Sequence, residues 1–202
     1  MRIAARESAV MSGLWPALKR LVPNYPDIKV EIVIDYGLTD IVAERLDAGV
    51  RPGEIVAPGM ISVPIGPPMR MAVVGSPSYF ANRPAPTTPQ DLTSHTCINL
   101  RLPTHGGLYA WEFEKGGREL RVRVEGQLVF STAGLILKAA LDGFGLAYLP
   151  EELVRPHLTT GDLVRVLGDW CEPFPGYHLY YPSRRQHTAA FALLVDMLRY
   201  RG

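Results

Sequence analysis

The spacing of apolar positions predicts alternating helices and strands, most clearly around the helix defined by apolar residues from Leu135 to Ala140. These residues recur three and four positions apart, which is the period of a half-buried helix. Gly143 suits the left-handed residue that follows a helix, and the apolar run 145–149 predicts a buried strand. Ser131 or Thr132 stands where a side-chain hydroxyl would cap the start of this helix.

A second unit of the same kind opens the chain. The short apolar run 2–5 predicts a strand, and near-helical spacing predicts a helix over about 9–22. Ser8 is the expected N-cap of that helix, and Pro16 is expected to kink it or to remove one hydrogen bond. The apolar positions Val10, Leu14 and Leu18 face either the core or a partner molecule.

The next elements extend this pattern to a sheet. Residues 28–35 alternate as a strand does, 39–46 predict a second helix, and 47–50 predict another buried strand. Alternating strands and helices with short links indicate a parallel sheet with covering helices. Ligands of such sheets bind beyond the carboxyl ends of the strands.

The remainder of the chain continues with further short elements. Strands are predicted over 60–65, 69–75, 97–100, 109–113, 120–124, 164–167 and 177–181, and helices from Pro150 and over 188–199. Gly116-Gly117 between two of these strands predicts a hairpin.

Composition excludes several classes of function. Hydrophobic residues make up 47% of the 202 residues, enough for a core, and the net charge of +1 provides no basic field for nucleic acid. We see no apolar run of the ~20 residues that a bilayer span needs and no apolar core of a secretory signal. Cys97 and Cys171 read as reduced thiols of a cytoplasmic protein. The sequence shows no metal-ligand spacing and no catalytic motif, so we expect no metal site, no cofactor and no enzyme.

Several motifs, in order, resemble the effector-binding domain of LysR-type transcriptional regulators. They are RIAARESAV, YPDIKVEI, DIVAERLDAGVRPGE, MRMAVVGSPSYF, TPQDLTSHTCINLR, AALDGFGLAYLPE and GYHLYYPSRR. The resemblance implies an α/β fold like type 2 periplasmic binding proteins, with two Rossmann-like lobes joined by two crossover strands. Lobe I would comprise 1–68 and 175–202, and lobe II would comprise 69–174.

The same resemblance implies a function. A small-molecule effector would bind between the lobes and change their angle, and so modulate transcription by an intact protein. Members of the family carry a winged helix-turn-helix that this chain lacks, so we expect DNA binding only through that missing N-terminal domain. The resemblance also implies a homo-dimer or tetramer.

Helix starts supply the predicted effector site. A helix N-terminus presents unpaired N–H groups and partial positive charge, which favour a carboxylate or another anion. Ser8 at one helix start and Ser131 and Thr132 at the other would together hold an acid group. The resemblance places all three residues in the effector cleft.

Further candidate residues follow the predicted strands. Arg51 would bind a carboxylate with two hydrogen bonds, or form an ion pair with Glu7, Glu54 or Asp35. Arg6 and Glu7 would neutralise each other at the cleft rim and favour a polar ligand. The aromatic residues nearest the cleft, which would stack on a ligand ring or serve as packing, are Tyr36 and Phe130.

Two rival functions remain at this point. A periplasmic-type solute-binding protein shares the two-lobe architecture but needs a signal peptide. A two-lobe enzyme needs a nucleophile beside a base, or a cofactor-bearing residue, and the sequence shows neither.

Overall fold

The chain adopts an α/β fold. The computed structural model describes residues 1–37, 40–53, 59–102, 106–183 and 188–202. These residues form two compact units, Met1–Met69 with Phe174–Gly202 and, separately, Arg70–Pro173. The chain therefore passes from one unit to the other twice.

The described strands are short. In chain order they are β1 (Arg2–Ala5), β2 (Glu31–Ile34), β3 (Ala48–Pro52), β4 (Met60–Pro64), β5 (Met71–Gly75), β6 (Asn99–Leu100), β7 (Trp111–Lys115), β8 (Arg118–Val122), β9 (Val129–Phe130), β10 (Ala147–Pro150), β11 (Val164–Val166) and β12 (Tyr177–Pro182). The described α-helices are α1 (Glu7–Ala9), α2 (Trp15–Asn24), α3 (Pro77–Phe80), α4 (Ala133–Leu141), α5 (Glu151–Thr160) and α6 (Ala189–Leu198).

The first unit is built on a five-stranded sheet of order β2-β1-β3-β12-β4. β1 is parallel to both β2 and β3, whereas β12 runs antiparallel between β3 and β4. The parallel arrangement predicted for the first three strands is confirmed. Their carboxyl ends consequently lie at one edge of the sheet.

Each face of this sheet has its own apolar core. On one face, residues of β1, β3 and β12 pack against the first helical segment and α6, with Leu14, Leu21 and Leu194 fully buried. On the other face, Tyr180 packs with Ala4, Ile41 and Leu46. β12 serves both cores, because successive side chains of a strand point to opposite faces.

The first helical segment differs from its prediction at its start and in its middle. Arg6, with extended backbone, is the N-cap, so Ser8 lies inside the helix and does not cap it. A π-helical segment (Val10–Leu14) joins α1 to α2, and the N–H of Trp15 reaches back to the carbonyl of Val10. Pro16 follows at once, and a proline cannot donate to the residue four positions earlier. The irregularity expected at Pro16 therefore occurs as a widened, π-helical turn just before it.

The predicted helix over 39–46 is wrong for its described part. Residues 41–45 form turns, and residue 39 lies outside the described residues. The side chain of Asp40 accepts hydrogen bonds from the N–H groups of Val42 and Ala43, as a helix cap does. Arg45 then adopts a left-handed backbone (φ 54°), which stops the turn from continuing as a helix.

The second unit contains a smaller sheet of order β10-β5-β11, in which both pairings are antiparallel. Two further pairs accompany it: β6 with β9, which is parallel, and the β7–β8 hairpin. Gly116 and Gly117 turn that hairpin with φ of 58° and 76°, so the predicted glycine turn is confirmed.

Helix α4 begins and ends where the apolar spacing predicts. Thr132 is its N-cap, with the extended backbone typical of that position, and Gly143 follows its end with φ 82°. The N-cap position predicted for Thr132 is therefore confirmed, but its hydroxyl makes no capping hydrogen bond. Ile136, Ala139 and Ala140 bury the apolar face of the helix.

Candidate functional site

Polar residues collect where the parallel strands of the first unit end. Arg6 follows β1, Asp35 follows β2, and Arg51 lies near the end of β3. The N–H of Asp35 still donates to the carbonyl of Ala5, at 3.0 Å, so the pairing of β1 and β2 extends to this edge. The parallel pairing of the three strands therefore brings these residues to one edge of the sheet.

Two hydrogen bonds tie the start of the first helix to its neighbours. The Tyr36 hydroxyl donates to a Glu7 carboxylate oxygen at 3.5 Å, a long contact. The Ser8 hydroxyl lies 2.8 Å from the Tyr177 hydroxyl of β12. Ser8 is thus held by a side chain 169 residues away.

Arg51 is half-buried and is held from two directions. Its guanidinium donates to the carbonyl oxygen of Gly37 at 3.2 Å. The guanidinium carbon also lies 5.2 Å from the centroid of the Tyr180 ring, within the range of a cation–π contact. Of the three ion-pair partners that the sequence offered Arg51, Glu54 lies outside the described residues.

The second unit presents Phe130, Ser131 and Thr132 together at the start of α4. Phe130 ends β9, and its carbonyl accepts a hydrogen bond from the N–H of Arg101 at 2.8 Å. Ser131 is exposed, while Phe130 and Thr132 are half-buried. The first N–H groups of any α-helix lack partners within the helix. A Cβ built on Gly134, in the first turn, would meet no atom within 4 Å, so that turn has open space beside it.

Sequence reasoning missed the contribution of β12. Tyr177 contacts Ser8 and Tyr180 contacts Arg51, yet the sequence marked 177–181 only as a strand. The contacts depend on the antiparallel register of β12 against β3, which places Tyr180 opposite Gly49. A register between strands 130 residues apart cannot be read from local spacing.

Burial favours the neutral form of one histidine and of both cysteines. Burial lowers the pKa of His178, whose Nδ1 lies 2.9 Å from the Ser62 hydroxyl. Burial raises the pKa of Cys97 to about 12 and also raises the pKa of Cys171. Both cysteines are therefore thiols at neutral pH, and a thiol is a poor nucleophile.

Among the described residues, no group of three or more His, Cys, Asp or Glu side chains is placed to hold a metal ion. No described helix is long and apolar enough to cross a membrane.

The sequence comparison identifies the family. Residues 1–202 match the family described as the LysR substrate binding domain. The chain belongs to this family. Its members are the regulatory, effector-binding domains of LysR-type transcription regulators and are not enzymes, which confirms the expected family and class of function.

Named relatives agree with this assignment. The chain is 54% identical over 200 residues to a putative transcriptional regulator of Pseudomonas aeruginosa, covering 99% of this chain and 65% of the relative. It is 48% identical over 202 residues to the HTH-type transcriptional regulator PgrR of Escherichia coli, covering 100% of this chain and 68% of the relative. The chain thus spans about two thirds of the length of these relatives.

Solved structures support the fold. The regulatory domain of AphB from Vibrio vulnificus superposes with a TM-score of 0.82 at 22% identity, covering 98% of this chain and 96% of that one. The regulatory domain of CrgA from Neisseria meningitidis gives 0.80 at 21% identity, with 98% and 96% covered. These similarities confirm the predicted α/β fold, like that of type 2 periplasmic binding proteins.

Proposed function

We propose that this domain binds a small carboxylate and that the bound acid regulates transcription by the intact protein. Arg51 at the strand edge of the first unit is the group proposed to bind the acid. The first-turn N–H groups of α4 and the Ser131 hydroxyl are the candidate groups of the second unit. In the first unit, the residues proposed to surround the acid-binding group are Arg6, Glu7, Ser8, Asp35 and Tyr36. In the second unit they are Phe130 and Thr132. The two units correspond in this proposal to regulatory lobes I and II.

The observation that carries the proposal is the state of Arg51. A guanidinium that is half-buried, fixed by a carbonyl and lying over an aromatic ring is pre-organised, so it loses little side-chain entropy when an acid binds. A planar guanidinium binds a carboxylate with two parallel hydrogen bonds, which an ammonium group cannot do. The start of α4 adds partial positive charge without adding a counter-ion.

A paired thermal-shift panel tests this function. Sodium acetate, succinate and benzoate are compared with acetamide, succinamide and benzamide, on wild type, Arg51→Ala and Ser131→Ala. We expect at least one carboxylate, and not its amide, to raise the melting temperature of wild type, because the acid binds only the folded state. Arg51→Ala should abolish that rise and Ser131→Ala should reduce it. A rise that is equal for acid and amide, or that survives Arg51→Ala, would contradict the proposal.

The mechanism we propose for the intact protein is a population shift. An effector changes the balance between two arrangements only by its difference in affinity for them. DNA binding would reside in a separate domain and would take place in the cytoplasm. The support is the length of the relatives, which extend beyond the region matched here, and the printed description of PgrR as HTH-type.

We also propose that the first helix contributes to a homodimer or a higher homo-oligomer. Leu14 and Leu18 are buried in the core of their own unit, so core packing accounts for them. The exposed large apolar side chains on this helix are instead Met11, Trp15 and Val22, which are 63%, 50% and 50% accessible. Their spacings of four and seven place them on one face, which the exposed Lys19 shares between Trp15 and Val22.

Sedimentation velocity tests this surface. Trp15→Glu should shift the chain towards a smaller species, because it places a charge in the apolar contact. Val42→Glu, at an exposed apolar residue outside the helix, is the matched control and should leave the species unchanged. An unchanged sedimentation coefficient for Trp15→Glu, with wild type clearly oligomeric, would place the contact elsewhere.

A further inference from the structure

Tyr180 lies against the backbone of β3 at a position where only glycine leaves room. In the antiparallel register of β12 and β3, Tyr180 is opposite Gly49 and His178 is opposite Arg51. A Cβ at Gly49 would lie 2.3 Å from Cζ of the Tyr180 ring, far inside van der Waals contact. The missing side chain of Gly49 therefore determines where the ring lies.

The Tyr180 ring is fixed on its other sides by the core of its face of the sheet. Its side chain is only 4% accessible and packs with Ile41 and Leu46. The guanidinium of Arg51 lies 5.2 Å from the ring centroid. A flexible arginine side chain is thus held by a ring that cannot itself move freely.

The ring holds Arg51 without neutralising it. Burial is the main reason that the pKa of Tyr180 is raised, and the nearby carboxylates Asp35 and Asp40 raise it further, against the opposing effect of Arg51. The phenol is consequently neutral at physiological pH. A neutral π-face attracts a cation through its quadrupole, so the ring supplies no negative charge that competes with a ligand.

We infer that Tyr180 is the positioning residue for Arg51 and that its aromatic ring, seated on Gly49, aims the guanidinium at the acid group of the effector. The inference rests on the function proposed above. The ring and not the hydroxyl carries the effect, so Tyr180→Phe retains it and Tyr180→Leu loses it. Gly49→Ala also loses it, because the added methyl displaces the ring without altering either side chain.

Proton–nitrogen NMR of the arginine Nε–Hε groups tests the inference without any effector. The Arg51 signal, assigned by its loss in Arg51→Lys, should be shifted by the ring current of Tyr180. Tyr180→Leu and Gly49→Ala should both move it to the range of exposed arginines, and Tyr180→Phe should leave it in place. Tyr181→Leu is the matched control, because Tyr181 is a buried residue of the same strand packed in the core of the opposite face.

The outcomes separate this inference from the proposed function. An Arg51 signal that stays in place in Tyr180→Leu, or that moves equally in Tyr181→Leu, would overturn the positioning role. Carboxylate-specific stabilisation that is lost in Arg51→Ala but fully retained in Tyr180→Leu would also overturn it, and would leave the acid-binding function standing. Loss of that stabilisation in Tyr180→Leu with retention in Tyr180→Phe would support it.

Discussion

The two helix starts that carry candidate hydroxyl groups differ in what those groups contact. At the first, Ser8 lies inside the helix and its hydroxyl is hydrogen-bonded to Tyr177 at 2.8 Å. At the second, Thr132 occupies the N-cap position and its hydroxyl caps nothing. The first hydroxyl therefore has a partner within its own unit, while the hydroxyl at the second helix start makes no capping hydrogen bond. Similar sequence signals thus mark a structural contact in one unit and a candidate ligand contact in the other.

The largest expected losses of stability come from truncating core side chains, and they should be similar for the two helices. Leu14→Ala and Ile136→Ala each remove a fully buried side chain, and each should lower the free energy of unfolding by about 2–5 kcal/mol. Urea denaturation followed by circular dichroism measures both. A loss below about 1 kcal/mol in only one of them would show that the helices differ beyond their first turns.

Removing a hydroxyl group should lower the free energy of unfolding at the first helix start more than at the second. Ser8→Ala leaves the Tyr177 hydroxyl without this partner and should cost about 1 kcal/mol, as should Tyr177→Phe. The double variant should cost less than the sum, because both changes remove one shared hydrogen bond. Ser131→Ala is the control and should stay within about 0.5 kcal/mol of wild type. Additive losses in the first pair would contradict the assigned contact.

A carboxylate side chain introduced at the N-cap of α4 should stabilise this helix start and compete with an acid ligand. Thr132→Asp supplies a capping oxygen and a negative charge, so it should raise the free energy of unfolding by about 0.5–1 kcal/mol. The same side chain would occupy the place proposed for the effector's acid group. The variant should therefore lose the carboxylate-specific stabilisation in the thermal-shift panel. A variant that is less stable than wild type would contradict an uncapped helix start.

The smallest expected effect is a pH dependence in each unit. Burial is the main cause that lowers the pKa of His178 in the first unit and of His95 in the second below the ordinary 6.5. Between the folded pKa and 6.5, the unfolded chain binds more protons, so stability falls as the pH drops through that window. Histidine NMR titrations should give both midpoints below 6.5, and His178→Gln should weaken the acid sensitivity. A midpoint above 6.5 would contradict the burial argument for that histidine.

Local signals predicted much of the fold and less of the site. The period of α4, the left-handed Gly143 and the Gly116-Gly117 turn depend on neighbouring residues, and the structure agrees with each. The helix predicted over 39–46 was wrong in its described part, because Asp40 caps a turn that the left-handed Arg45 interrupts. Apolar spacing alone does not show this. The hydroxyl partner of Ser8 and the aromatic ring beside Arg51 come from β12, near the other end of the chain. Those contacts follow from strand register, which is a tertiary property.

The central claim is that Arg51 binds the acid group of a small carboxylate. A crystal structure of the chain with the panel carboxylate that raises the melting temperature most tests it directly. We predict a carboxylate with both oxygen atoms hydrogen-bonded to the Arg51 guanidinium and the Tyr180 ring still beneath that guanidinium. An acid bound elsewhere, with no hydrogen bond to the Arg51 guanidinium, would contradict the account.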